Sequence, residues 1–156
     1  MAEQLRRHGR PSIAWALIAA VMLVGAAPVD GSSAADRKQE TAAVLAVNSE
    51  FYRAFRESDI TAMDAVWGRD GVIAVQHPSS GRIEGRRNVM LSWAQIMLRP
   101  LNITCTVESV QVKAWRATVD CLEHLNPGEV RMRNVFHREN GVWKMIYHGP
   151  LPGTVS

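Results

Sequence analysis

Residues 101–147 read LNITCTVESVQVKAWRATVDCLEHLNPGEVRMRNVFHRENGVWKMIY, and their pattern decides the fold. Apolar, β-branched and aromatic residues fall into four strand-like runs, 101–112, 117–125, 130–139 and 142–147. Breaks separate them at 113–116, at Asn126-Pro127-Gly128 and at Asn140-Gly141. Asn-Gly between two such runs is a strong hairpin signal, because both residues tolerate positive φ. Three consecutive hairpins predict a curved antiparallel meander. Side chains alternate between the two faces of a strand. Met132, Asn134 and Phe136 therefore share one face, and Arg131, Arg133, Val135 and His137 share the other. In the last run Trp143, Met145 and Tyr147 alternate with Lys144, Ile146 and His148, so that strand is expected to be partly covered on both sides.

Upstream of residue 101 the period becomes helical. Val44, Val47, Phe51, Ala54 and Phe55 form one apolar stripe within a helix expected over 36–57. Ser33 with Asp36 resembles a capping arrangement at its start. Ser58-Asp59 caps a shorter helix at 60–67, which Gly68 is expected to stop. Residues 71–77 and 82–85 read as two short strands around Pro78. A third helix over 86–98 carries Val89, Trp93, Ile96 and Met97 on one side, with Pro100 ending it. Helices that precede a meander predict an α+β fold with the helices packed on one sheet face.

The N-terminus has a different character. Arg6, Arg7 and Arg10 precede the apolar run IAWALIAAVMLV at 13–24, and small residues follow. This pattern predicts a secretory signal peptide, with cleavage after Ala26 or Ala35. The expected organisation is a signal peptide and short linker at 1–35, a domain at 36–152 and a tail at 153–156. Membrane contact is expected only if the N-terminal segment stays uncleaved. The expected location is periplasmic or secreted. From Asp36 onward there are 15 basic and 13 acidic residues, a net charge of +2 with no basic block. A nucleic-acid partner is therefore not expected. Export places Cys105 and Cys121 where disulfides persist. They are either bridged or two buried thiols, depending on strand register.

FYRAFRESDITAMDAVW at 51–67 resembles the first helix pair of nuclear-transport-factor-2-like domains. VIAVQHPSSGRIEGRRNVMLSW at 72–93 is similar to the strand, His-Pro corner and third helix that follow. RNVFHRENGVWKMIYHGPLP at 133–152 resembles the closing hairpin of the SnoaL-like branch. The resemblance implies a cone-shaped curved antiparallel sheet wrapped around three N-terminal helices and enclosing a pocket. It also implies a homodimer formed through the sheet. Such folds host isomerases, cyclases, dehydratases and non-enzymatic modules, so fold does not settle function. The general-base carboxylate of the isomerases would be expected within the first strand, and residues 71–77 contain no acid.

The expected function is binding of a small apolar molecule, with acid/base chemistry as one use of the pocket. His77 and His148, each ending a strand, are the candidate catalytic groups, because imidazole shuttles protons near neutral pH. Tyr52, Trp67, Trp93, Asp120, Met132, Asn134 and Phe136 are the candidate ligand-binding residues. Each has a structural alternative: core packing for Trp67, Trp93, Met132 and Phe136, a purely structural hydroxyl for Tyr52, a sheet or helix contact for Asn134, and a solvated strand position for Asp120. No metal site is expected, since His77, His124, His137 and His148 lack ligand spacing. No cofactor is expected either, as no Gly-rich phosphate loop occurs. The competing reading is a non-catalytic dimerising or protein-interaction module that uses Arg131, Arg133, Val135 and His137 on the outer sheet face.

Overall fold

The computed structural model describes residues 33–151 except Ser79 and Pro100. Its elements run α1 (Ala34–Arg56), α2 (Ile60–Val66), β1 (Ala74–Gln76), β2 (Arg82–Glu84), α3 (Arg86–Ile96), β3 (Thr104–Val112), β4 (Arg116–His124), β5 (Glu129–Glu139) and β6 (Val142–Pro150). The expected signal peptide and tail lie outside the described residues, as does the role of Pro100. No helix among the described residues is long and apolar enough to cross a membrane.

Local chemistry accounts for the helix ends. Ser33 and Asp36 form a reciprocal capping box: the Asp36 N–H donates to Ser33 Oγ at 3.1 Å and the Ser33 N–H donates to the Asp36 carboxylate at 3.0 Å. Two otherwise unpaired backbone donors are satisfied in this way. Asp59 caps α2 by accepting the Ala62 N–H at 2.9 Å. Gly68 does not stop α2 as expected. The chain leaves the helix at Trp67, which is extended and bridges Met145 in parallel. The Gly68 N–H then donates to the Met145 carbonyl at 2.8 Å. A side chain at Gly68 would strike the Glu139 carboxylate, which accepts the Arg69 and Asp70 N–H groups.

The six strands form one open sheet in the order β2-β1-β6-β5-β4-β3. The expected curved antiparallel meander forms four of the six strands of a mixed sheet. The meander is antiparallel, but β1 runs parallel to β6, with Val75 opposite His148. That pairing carries the short β1–β2 hairpin on the far edge of the meander. Helices α1 and α3 contact the sheet, α1 over β3, β4 and β6, and α3 over β1 and β2.

Between them lies a core that includes Val44, Phe51, Phe55, Met63, Trp67, Trp93, Val119, Phe136, Trp143 and Met145. Burying side chains of this size contributes about 1.5–3 kcal/mol each. A β-bulge changes the face assignment in β6. Val135 pairs with Tyr147 but Phe136 pairs with Met145, leaving Ile146 as the extra residue. Trp143 and Met145 face the core, and beyond the bulge His148 takes that face. Tyr147 turns outward under the Arg82 guanidinium, 5.3 Å from its ring centroid.

Candidate functional site

Helix α1, the β1 end, α3 and strands β4 and β6 close around a cavity of about 230 Å3. This is smaller than the roughly 300–1,000 Å3 typical of pockets for drug-sized ligands. Its exposed rim includes Pro78 and Leu101. Its walls include the buried Phe51, Phe55 and Trp93 and the half-buried Ile96 and Ile103. Four polar residues join them: Tyr52, His77, Glu123 and His148. The histidines are embedded in the aromatic wall. The Trp93 centroid lies 4.7 Å from the His77 ring and 5.5 Å from the His148 ring, and Phe51 lies 5.0 Å from His148.

Glu123 is 3% exposed and accepts the Tyr52 hydroxyl hydrogen at 2.5 Å. Burial disfavours its charged form and pushes its pKa up to about 7, with the Tyr52 hydrogen bond working against that rise. Tyr52 is pushed far above its ordinary range, first by burial and then by the adjacent Glu123. His148 is driven down to about 3 by burial, with the His77 ring adding to the effect. Its Nε2 stands 3.8 Å from Glu123 Oε1, and burial favours the neutral form of each. His77 is lowered by burial alone. The Ser92 hydroxyl donates to the Val89 carbonyl at 2.8 Å, so it accepts from His77 Nε2 at 3.2 Å. His77 Nδ1 is therefore the acceptor of that ring. The site thus combines two neutral imidazoles, each with one lone pair, and a carboxyl poised near neutrality among apolar walls.

The order of elements and the open mixed sheet under the helices coincide with a known family. The SnoaL-like domain matches over residues 44–150. This chain belongs to the SnoaL-like family. A candidate dehydratase of the NTF2-like family from Streptomyces avermitilis aligns with a TM-score of 0.65 and 26% identity, covering 74% of this chain and 98% of that one. A candidate calcium/calmodulin-dependent protein kinase type II association domain from Thiobacillus denitrificans aligns with a TM-score of 0.63 and 26% identity, covering 69% and 94%. A candidate ketosteroid isomerase from Shewanella frigidimarina shares the fold, with a TM-score of 0.60, 11% identity and coverage of 69% and 93%. In sequence, the F-box protein SKIP8 of Arabidopsis thaliana is 26% identical over 129 residues, 80% of this chain. Those residues span 54% of the plant protein, about half its length.

Within this SnoaL-like domain, four of the residues singled out from sequence line the cavity: Tyr52, Trp93, His77 and His148. Asn134 does not line it. It sits fully buried behind the floor, with its Oδ1 2.7 Å from His148 Nδ1. Trp67 and Phe136 belong to the core and Met132 is fully buried, so none of the three lines the cavity. Asp120 is corrected outright. It lies on the other face of β4 from Val119 and Cys121, held bidentately by Arg133 at 2.7 and 2.8 Å and by Ser109 at 3.0 Å. The Arg133 pairing holds its carboxyl below the ordinary range.

Glu123 takes the place offered to Asp120, and sequence reasoning missed it. The signal was present: Val119, Cys121 and Glu123 share one parity, so the run that puts Cys121 inside puts a carboxylate inside as well. Cys105 and Cys121 are bridged, with a Cα–Cα distance of 5.4 Å across neighbouring strands. The register pairs Val107 with Cys121 and Cys105 with Glu123, so the bridge runs diagonally.

Proposed function

We propose that this SnoaL-like domain is an exported, periplasmic or secreted protein that binds a small, largely apolar molecule carrying one carbonyl or hydroxyl and transfers a proton on it. One observation carries the reading: a buried carboxyl with a pKa near 7 lines an otherwise apolar cavity beside two neutral histidines. A group titrating near the working pH is the best placed to take a proton and return it. As carboxylate, Glu123 accepts a proton from the ligand and later delivers it to another atom, which leaves the enzyme unchanged. This is the proton traffic of an isomerase, a cyclase or a dehydratase. His77 Nδ1 and His148 Nε2 serve as acceptors that orient the ligand. The disulfide and the signal-like N-terminus support an oxidising compartment.

The test is thermal stability and native mass spectrometry of the mature chain against small cyclic ketones, enones and phenols. A ligand at a hundred times its Kd raises stability by about 2.7 kcal/mol. The expected result is a retained compound whose binding Tyr52→Phe and Glu123→Leu weaken at least tenfold. No retained compound and no shift across the panel would sink the reading.

A second reading rests on a separate observation. Trp115 is 59% and Val72 68% exposed, around a concavity on the outer sheet face lined also by Ile146, Tyr147 and His137. Large apolar groups gathered on one face mark an interface. A second copy of the chain is the proposed occupant. Sedimentation decides it, with a dimer expected for the wild type and a monomer for Trp115→Glu. The wild type sedimenting as a monomer at micromolar concentration would remove this reading.

A further inference from the structure

Behind the cavity floor, α1, the disulfide and strands β5 and β6 are joined by one chain of hydrogen bonds. Asn48 on α1 is 3% exposed, and its Nδ2 donates to both sulfurs of the Cys105–Cys121 bridge, at 3.8 and 3.7 Å. A disulfide sulfur has lone pairs and no hydrogen, so it can only accept. That orients the Asn48 amide, with NH2 toward the bridge and Oδ1 toward Asn134. Asn134 Nδ2 donates to Asn48 Oδ1 at 2.7 Å and to Tyr52 Oη at 3.2 Å. The Tyr52 hydrogen is already given to Glu123, so Oη receives from Asn134. Both amide hydrogens of Asn134 are thereby in use, with Cys121 Sγ a third and longer contact of the same Nδ2 at 3.9 Å, and its Oδ1 meets His148 Nδ1 at 2.7 Å. A carbonyl oxygen can only accept, so Nδ1 bears the hydrogen and Nε2 the lone pair.

The geometry points to Asn48 and the Cys105–Cys121 bridge as a positioning relay that sets the His148 tautomer and so presents Nε2 as the acceptor beside Glu123. The opposite arrangement turns both amides over. Asn48 Oδ1 would then face two sulfurs that have no hydrogen to give. Asn134 Oδ1 would face Tyr52 Oη, whose hydrogen would have to leave Glu123. The Asn48–Asn134 bond would survive with its direction reversed, but Asn48 Oδ1 would have no donor and Tyr52 Oη would lose the one from Asn134, and leaving buried polar groups unmade is expensive. The consequence for a ligand rests on the cavity reading above, but the tautomer is a property of the unliganded protein.

The experiment is long-range 1H–15N NMR of the histidine rings in uniformly 15N-labelled, ligand-free protein at neutral pH. The wild type is expected to show His148 protonated at Nδ1 and bare at Nε2. Asn48→Leu removes the acceptor that holds Asn134, and is expected to raise the Nε2–H tautomer roughly fivefold or more, the weight of one net hydrogen bond. Asn48→Asp, with its buried carboxyl protonated, keeps a carbonyl for Asn134 and an O–H for sulfur, so it should restore the wild-type ratio. Should Asn48→Leu fail to fold, the bridge itself gives the second measurement. A water-soluble phosphine plus water reduces it to two thiols and becomes the phosphine oxide. A thiol can donate to Asn48 Oδ1, so the tautomer ratio should move in the same direction.

A wild-type His148 protonated at Nε2 overturns the relay. So does an unchanged ratio in both Asn48→Leu and the reduced protein. A response to Asn48→Leu alone keeps Asn48 and removes the bridge from the role. A tautomer shift in a protein that binds no panel compound would keep the relay while sinking the ligand reading. Binding with an unresponsive tautomer would do the reverse.

Discussion

Glu123 and His148 pull stability in opposite directions, and the signs follow from which state holds more protons. The folded pKa of Glu123 is about 7 against an ordinary 4.5, so the native state binds more protons between those values and loses stability as pH rises. The folded pKa of His148 is about 3 against an ordinary 6.5, so the native state binds fewer protons between those values and gains stability as pH rises. The two slopes cancel between about pH 4.5 and 6.5. Glu123→Gln keeps an acceptor for Tyr52 and removes only the titrating group. Its stability relative to wild type should therefore climb between about pH 4.5 and 7, reaching about 3 kcal/mol in favour of the variant. Denaturant melts across that range check it, and a pH-independent difference would mean that Glu123 titrates normally. The polar residues themselves were unevenly legible. His77 follows β1 as pattern alone suggests, whereas His148 lies within β6, which runs on to Pro150 instead of ending at the histidine. Asp120 was assigned to the pocket and Glu123 overlooked, although parity along one strand separates them. What parity could not reveal is that Arg133 stands opposite Asp120 on the outer face, because cross-strand partners need the register of β5.

At the scale of elements, hairpins and caps were readable because they depend on a few neighbouring residues. Asn140-Gly141 turns with φ of 50° and 82°, the positive values that such a turn demands. The bulge at Ile146 was not readable. Both phases of 142–148 bury large groups, so alternation cannot choose between them, and only the partner strand shows where the phase slips. The parallel β1–β6 pairing is equally a matter of distant contacts, made by a strand of three residues. The α1 cap bears on the expected leader. Cleavage after Ala35 would remove Ser33 and leave an ammonium at Asp36, inside the first helical turn and against the helix dipole. Cleavage after Ala26 keeps the capping box. If the chain is exported as proposed, its mature form should therefore begin at Ala27, as N-terminal mass spectrometry would show. A chain that starts at Asp36 should be less stable by about 1 kcal/mol, a few degrees in Tm. Equal Tm values for chains starting at Ala27 and Asp36 would remove the argument.

At the scale of the whole molecule, one sheet separates two surfaces of different chemistry. Its inner side carries Cys121, Glu123, Asn134 and His148 under the helices. Its outer side carries the Arg133–Asp120 and Arg131–Glu108 pairs and, beyond them, Tyr147, His137 and Trp115. The Arg131–Glu108 pair is solvated and contributes little to stability, and the bidentate Arg133–Asp120 pair satisfies its own charges. Their arrangement leaves the apolar corner at Trp115 as the part of that face with an energetic reason to be covered. The backbone is shared, but no side chain named on one side hydrogen-bonds a side chain named on the other among the described residues. Changes on the two faces should therefore act independently, since substitutions without shared partners add to within about 0.5 kcal/mol. Trp115→Glu should alter the sedimentation coefficient and leave panel binding unchanged. Tyr52→Phe should weaken binding and leave the sedimentation coefficient unchanged, and the double variant should show both losses in full. Coupling beyond about 1 kcal/mol in that cycle would mean that assembly and pocket share a moving part. The β6 bulge would be its first address, because it fixes Tyr147 on one face and His148 on the other with a single extra residue between two paired segments.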